Sequence, residues 1–154
     1  MHLLKTMPIL EREQPIEASR DEVFHFFSRA ENLGIITPQW VHIEVLRPGV
    51  TMRPGTTIDY KIRLYGLPIR WQTVIESWDP PNGFVDRQIK GPYKVWRHTH
   101  LFQAMPDGRT LMRDRVEYQA PFGPIGRVIE ALWVSRDVNR IFDYRSQAIE
   151  RRFS

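Results

Sequence analysis

Trp96, His98, His100 and Phe102 follow one another two residues apart in the stretch GPYKVWRHTHLFQ, residues 91–103. On a β-strand that spacing puts all four side chains on one face. An indole and two imidazoles in a row that would otherwise be aliphatic call for a chemical reason, and three are available. Two imidazoles two apart on a strand can hold a metal, with Asp114 completing a His-His-Asp set. Such a site needs a third and often a fourth ligand, and His25 and His42 fall on other elements, so no metal and no other cofactor is expected. A histidine polarised by an aspartate inside an apolar pocket can move a proton on a bound ketone or enol. His98, His100 and Asp114 are the candidates for that role. The third possibility is binding alone, with the imidazoles, Asp114 and the Tyr118 hydroxyl meeting the polar end of a ligand. A filled core in which His100 and Asp114 satisfy each other stays open beside these.

Other nucleophilic chemistry has little support. The chain contains no cysteine, which removes thiol nucleophiles, thiolate metal sites and disulfides. Ser77 and Ser135 have no visible base partner, and no glycine-rich nucleophile elbow occurs.

The elements that position the row can be read from turn chemistry. MPDGR (105–109) is the signature of a three-residue hairpin with glycine in the left-handed region. Counting outward from it pairs His100 with Asp114, His98 with Val116 and Trp96 with Tyr118. On the partner strand Arg113, Arg115, Glu117 and Gln119 alternate with Asp114, Val116, Tyr118 and Ala120. Long polar side chains belong in water, so the second set points inward, and the imidazole row with it. By the same alternation Tyr60, Ile62, Trp71 and Ile75 face in. The strand FVDRQIK is ambiguous: either Asp86 and Gln88 point in, or Val85, Arg87 and Ile89 do.

Along the chain, a first strand at 7–17 precedes SRDEVFHFF, where Ser19 and Glu22 form a capping box, and a second short helix in AENLGIITP. Strands follow at about 41–47, 56–65, 67–78, 84–90, 93–104 and 109–120, separated by turns such as RPG and DPPNG. From GPIG (123–126) the chain reads as helix to the end, with Pro124 in its first turn. At about 100° per residue, Ile125, Val128, Ile129, Leu132 and Trp133 form one stripe, and Val138, Ile141, Phe142 and Ile149 fall nearly opposite. That shift predicts a break near Ser135–Asp137, with the first part a lid, or else a helix covered on both sides by protein or by a second subunit.

The 154 residues suit one domain, 1–154. Net charge is +4, from 22 Lys and Arg spread beside 18 acids, so no nucleic-acid face is expected. No apolar run resembles a signal peptide or a membrane span. Cytoplasmic location without stable membrane association is the expectation.

The motifs EVFHFFSRAENLGIITPQW, GPYKVWRHTHLF, DRVEYQAPFGPIG and IFDYR resemble the stand-alone bacterial proteins of the SRPBCC superfamily, the START-like and Bet v 1-like group. The resemblance implies an α+β helix-grip fold: a seven-stranded curved antiparallel sheet around a long C-terminal helix, two short helices after strand 1, and a cavity between sheet and helix. It implies binding of a hydrophobic or aromatic small molecule, lipid-like or polyketide-like. The alternative is a polyketide cyclase or aromatase-like enzyme with a pocket histidine as acid–base. The residues expected at the ligand are Tyr60, Ile62, Trp71, Asp86, Gln88, Trp96, His98, His100, Phe102, Asp114, Tyr118, Leu132, Trp133 and Arg136, the last as a gate at the helix break. A homodimer through the C-terminal helix is left open.

Overall fold

The computed structural model describes residues 7–64 and 66–154, with the side chain of Leu132 left outside the description. Strand β1 (Ile9–Ile16) leads into helix α1 (Arg20–Phe27) and a 3-10 helix at Ala30–Ile36. Six strands follow: β2 (Ile43–Val45), β3 (Thr57–Leu64), β4 (Leu67–Asp79), β5 (Gly83–Lys90), β6 (Val95–Ala104) and β7 (Thr110–Gln119). They form one seven-stranded antiparallel sheet in the order β1-β7-β6-β5-β4-β3-β2. The first strand therefore returns to pair with the last.

The β6–β7 hairpin has the expected register: His100 opposite Asp114, His98 opposite Val116, Trp96 opposite Tyr118. Its turn is closed by the Met105 amide donating to the Arg109 carbonyl at 2.8 Å, with Gly108 at φ 87°. Asp114, Val116, Tyr118 and Ala120 are all buried, and Arg113 and Arg115 are exposed. The imidazole row is thereby fixed on the inner face.

At α1 the Glu22 amide donates to Ser19 Oγ, and Val23, Phe24 and Phe26 are buried. Phe24 packs edge-on against Phe84 and Phe102. With Met112 and Ile149 these rings form the filled end of the interior.

The C-terminal helix is continuous through Ser135–Asp137, which corrects the expected break. It runs as α2 (Gly123–Ile129), a π-helical segment (Glu130–Val134) and α3 (Ser135–Arg152). The wide π turn shifts the bearing of α2 relative to α3 by about one residue, and the two stripes stay on different sides of the helix. The α3 stripe of Val138, Phe142 and Ile149 is buried against the sheet. The α2 stripe turns outward: Ile125 is 71%, Val128 58% and Trp133 55% exposed. Buried Glu130 accepts the Ala120 amide at 2.7 Å and ties the π segment to the end of β7. Arg12 reaches from β1 to Asp143 at 2.7 Å, and Gln14 to the Ser146 carbonyl at 2.8 Å, which hold α3 on the sheet. Among the described residues no helix is long and apolar enough to cross a membrane.

Two glycines permit close backbone approach. A Cβ on Gly83 would overlap the His100 carbonyl oxygen, and one on Gly126 would overlap that of Pro121. Gly83→Ala and Gly126→Ala are each expected to cost about 1–3 kcal/mol, the usual range for overpacking. Thermal unfolding midpoints lower by several degrees check this.

Candidate functional site

Between the sheet and α3 lies a cavity of about 190 Å³. Its floor is the inner face of β3 to β6, with Tyr60, Ile62, Trp71, Thr73, Asp86, Trp96, His98 and His100. Its roof is α3, through Val138, Ile141, Phe142 and Arg145. Phe26, Phe27 and the 29–37 segment close one side.

The wall has an aromatic part and an ionic part. Trp71 stands edge-on to Trp96 at 5.4 Å and to Tyr93 at 5.6 Å, and its indole N–H donates to Thr73 Oγ1 at 3.1 Å. Along β6 beyond Trp96, at roughly 3.3 Å of strand rise per residue, comes the ionic part. His98 Nε2 meets Asp114 Oδ1 at 2.7 Å, and His100 Nε2 meets Asp86 Oδ2 at 2.7 Å. The imidazoles stack on each other with centroids 3.6 Å apart, and Phe84 stacks on His100 at 4.1 Å. Arg145, 6% exposed, brings Nη2 to 3.5 Å from Asp114 Oδ1, with its guanidinium over the rings of Phe27 and Phe142.

Protonation follows from these contacts. Burial would raise Asp114, but the Arg145 charge, the His98 hydrogen bond and the imidazoles outweigh it and hold the carboxyl well below its ordinary range. Asp86 is likewise lowered: burial opposes, and the His100 bond with the charges of His100, His98 and Arg145 wins. Both carboxylates are therefore acceptors, and each imidazole donates from Nε2. Burial, then the neighbouring His98, pushes His100 down to about 4 against the upward pull of Asp86. His100 is neutral at pH 7, and its Nδ1 is buried without a hydrogen-bond partner. Burial, followed by the Asp86 charge, raises the Tyr60 phenol, and burial with Tyr118 raises that of Tyr93. Both keep their O–H donors.

The expected residues divide between the cavity wall and other places. Tyr60, Ile62, Trp71, Asp86, Trp96, His98 and His100 are on the cavity wall. Gln88, Phe102, Asp114 and Tyr118 are not among its lining. Gln88 brackets the Tyr93 backbone, donating to its carbonyl at 2.7 Å and accepting its amide at 3.2 Å. Phe102 belongs to the filled aromatic core, Tyr118 is tied to Ser135 Oγ at 2.8 Å, and Asp114 lies beneath His98. Trp133 and Arg136 are off the cavity. With no helix break beside it, Arg136 has no gate to form. Leu132 lies outside the described side chains. The facing of β5 resolves toward Asp86, which replaces Asp114 as the partner of His100. Asp86, His98 and His100 also bring possible metal-ligand atoms within 4.8 Å of one another, although one imidazole nitrogen and one carboxylate oxygen already bond each other.

Arg145, Phe27, Tyr93 and Phe142 were not anticipated from the sequence as cavity residues. Arg145 had a signal: it follows Val138 and Phe142 at helical spacing and precedes Ile149, inside the buried stripe.

The ionic cluster carries two expected outcomes. Asp114→Asn takes from buried Arg145 its nearest counter-charge and is expected to cost about 3–5 kcal/mol, measured by urea denaturation. An unfolded imidazole takes its proton near pH 6.5, whereas folded His100 refuses it until about 4. Between those values the unfolded chain binds more protons, so stability falls as pH drops through that window. Lowered Asp86 and Asp114 extend the loss further into acid. NMR signals of His100 that stay flat from about pH 8 to pH 5, with declining unfolding free energy over the acid limb, are the expected result.

No family model and no curated protein matches this chain. Solved structures do. The chain is similar to the protein TTHA0849 from Thermus thermophilus, at 19% identity and TM-score 0.72, over 95% of this chain and 97% of the other. It is similar to the Zhui aromatase/cyclase from Streptomyces sp. R1128, at 15% identity and TM-score 0.72, over 94% and 92%. A START superfamily protein from Mycobacterium smegmatis matches at 13% identity and TM-score 0.69, over 94% and 96%. Identities this low speak to architecture, and sheet order, helix placement and near-complete coverage agree on it: this chain has the helix-grip fold of START-like and Bet v 1-like proteins.

Proposed function

We propose that this protein binds a small hydrophobic or aromatic molecule in the cavity between the sheet and α3. The observation that carries this reading is an apolar hollow walled by Tyr60, Trp71, Tyr93 and Trp96, into which a few polar groups converge. That combination is usual for small-molecule sites. A dry cavity of about 150 Å³ is enough for benzene, so 190 Å³ takes a ligand built on one aromatic ring as the cavity stands. The protein would act as a single cytoplasmic domain without nucleic acid. Its outward α2 stripe is the surface for a homodimer, which sedimentation velocity over a concentration series checks.

The second reading is catalysis of the cyclase or aromatase kind. The observation favouring it is a pair of His–carboxylate contacts, each at 2.7 Å, with both imidazoles on the cavity wall. An imidazole backed by a carboxylate can accept a proton from an acidic carbon or hydroxyl.

Protein purified from its own cells, denatured and extracted, is expected to yield a recurrent apolar or aromatic compound by mass spectrometry. A ligand at a hundred times its Kd stabilises by about 2.7 kcal/mol, or roughly 5–10 °C for a chain of this size. Ala30→Leu, which fills the wall, should abolish that shift while leaving the protein folded. A clean extract, with no thermal shift across a library of one-ring and two-ring compounds, would overturn the binding reading. If His98→Gln or His100→Gln retains ligand affinity and loses turnover, the enzyme reading holds.

A further inference from the structure

A guanidinium carries five N–H donors and cannot shed its charge. Inside an apolar cavity it needs acceptors for them. Arg145 is buried and lies on the cavity roof. Its contact with Asp114, at 3.5 Å, is long for a charge-assisted hydrogen bond. Its Nε has no hydrogen-bond partner. The rings of Phe27 and Phe142 attract the cation through their faces but accept no N–H in the manner of an oxygen.

The carboxylates near Arg145 are each shared with an imidazole. Asp114, from β7, accepts His98 at 2.7 Å, and Asp86, from β5, accepts His100 at 2.7 Å. The nearest carboxylate therefore compensates the charge without filling the donors. A fixed cation beside an open apolar volume, with donors unfilled, is the arrangement that recognises an anion.

Building on the small-molecule reading, we propose that the ligand carries an anionic oxygen, as a carboxylate or an ionised phenol or enol, that Arg145 receives. Its aromatic or aliphatic body then extends along β6 toward Trp71 and Trp96. This narrows the ligand class from hydrophobic molecules to hydrophobic acids. It also gives the pocket a direction: charge under α3, ring among the tryptophans.

The test uses the intact protein with a matched pair of probes, trans-cinnamate and its neutral isostere cinnamamide, titrated by calorimetry at pH 7. The expected result is that the acid binds about tenfold or more tighter than the amide, the scale of one charge-assisted hydrogen bond. Arg145→Gln should erase that ratio, and Arg145→Lys should retain part of it. Equal affinity of acid and amide in the unaltered protein overturns the proposal and needs no variant to fold. A preference that survives in Arg145→Gln overturns it as well. Binding of the amide alone sinks the anion proposal and leaves the small-molecule reading standing. Failure of both probes, together with every neutral compound of the library, sinks both.

Discussion

One buried carboxylate organises the interior. Asp114 is 4% exposed, and a charge in that position is tolerated only with partners. It collects them from two other elements: His98 from β6 by a short hydrogen bond and Arg145 from α3 by a longer contact. None of these contacts is local in sequence, so each one reports that β6, β7 and α3 have docked correctly. The hairpin register that places Asp114 opposite His100 is thus also the register that seats the helix. A slip of one residue would turn Asp114 to solvent and take from Arg145 its nearest counter-charge.

Around that cluster the interior is packed unevenly. Toward α1, Phe24, Phe84, Phe102 and Met112 fill the space with rings at tilted and edge-on angles. Toward β3 and β4 the larger side chains stand apart and leave the cavity. Dense packing and open volume are therefore found in different halves of one sheet. His98 and His100 lie at the boundary, each with one edge committed to a carboxylate and its ring at the hollow.

The sequence revealed strand facing wherever a turn was regular. MPDGR carries a fixed geometry, so parity could be counted outward from it to Trp96, His98 and His100. The same count failed on β5. Its turn to β6 contains Gly91 and is braced by a side chain, Gln88, and its pairing with β4 is interrupted at Gln72/Thr73 and Ile75/Ser77. Each interruption resets the alternation, so Asp86 was indistinguishable from its neighbours until the sheet was seen. Arg145 was hidden for another reason. An arginine in an apolar stripe reads as a solvent-reaching side chain, and only the position of Asp114 on a distant strand turns it inward. The two helix stripes face different ways, but the helix between them holds a wider turn and not a break.

That wider turn at Glu130–Val134 has a consequence for how the helix is indexed. Each residue in a helix turns the chain by about 100°. Deleting any one residue of the segment would rotate α2 by that angle relative to α3 and carry Ile125 and Val128 away from their present outward bearing. Which side of α2 meets the surroundings is therefore dictated by a count of residues, independently of which residues they are.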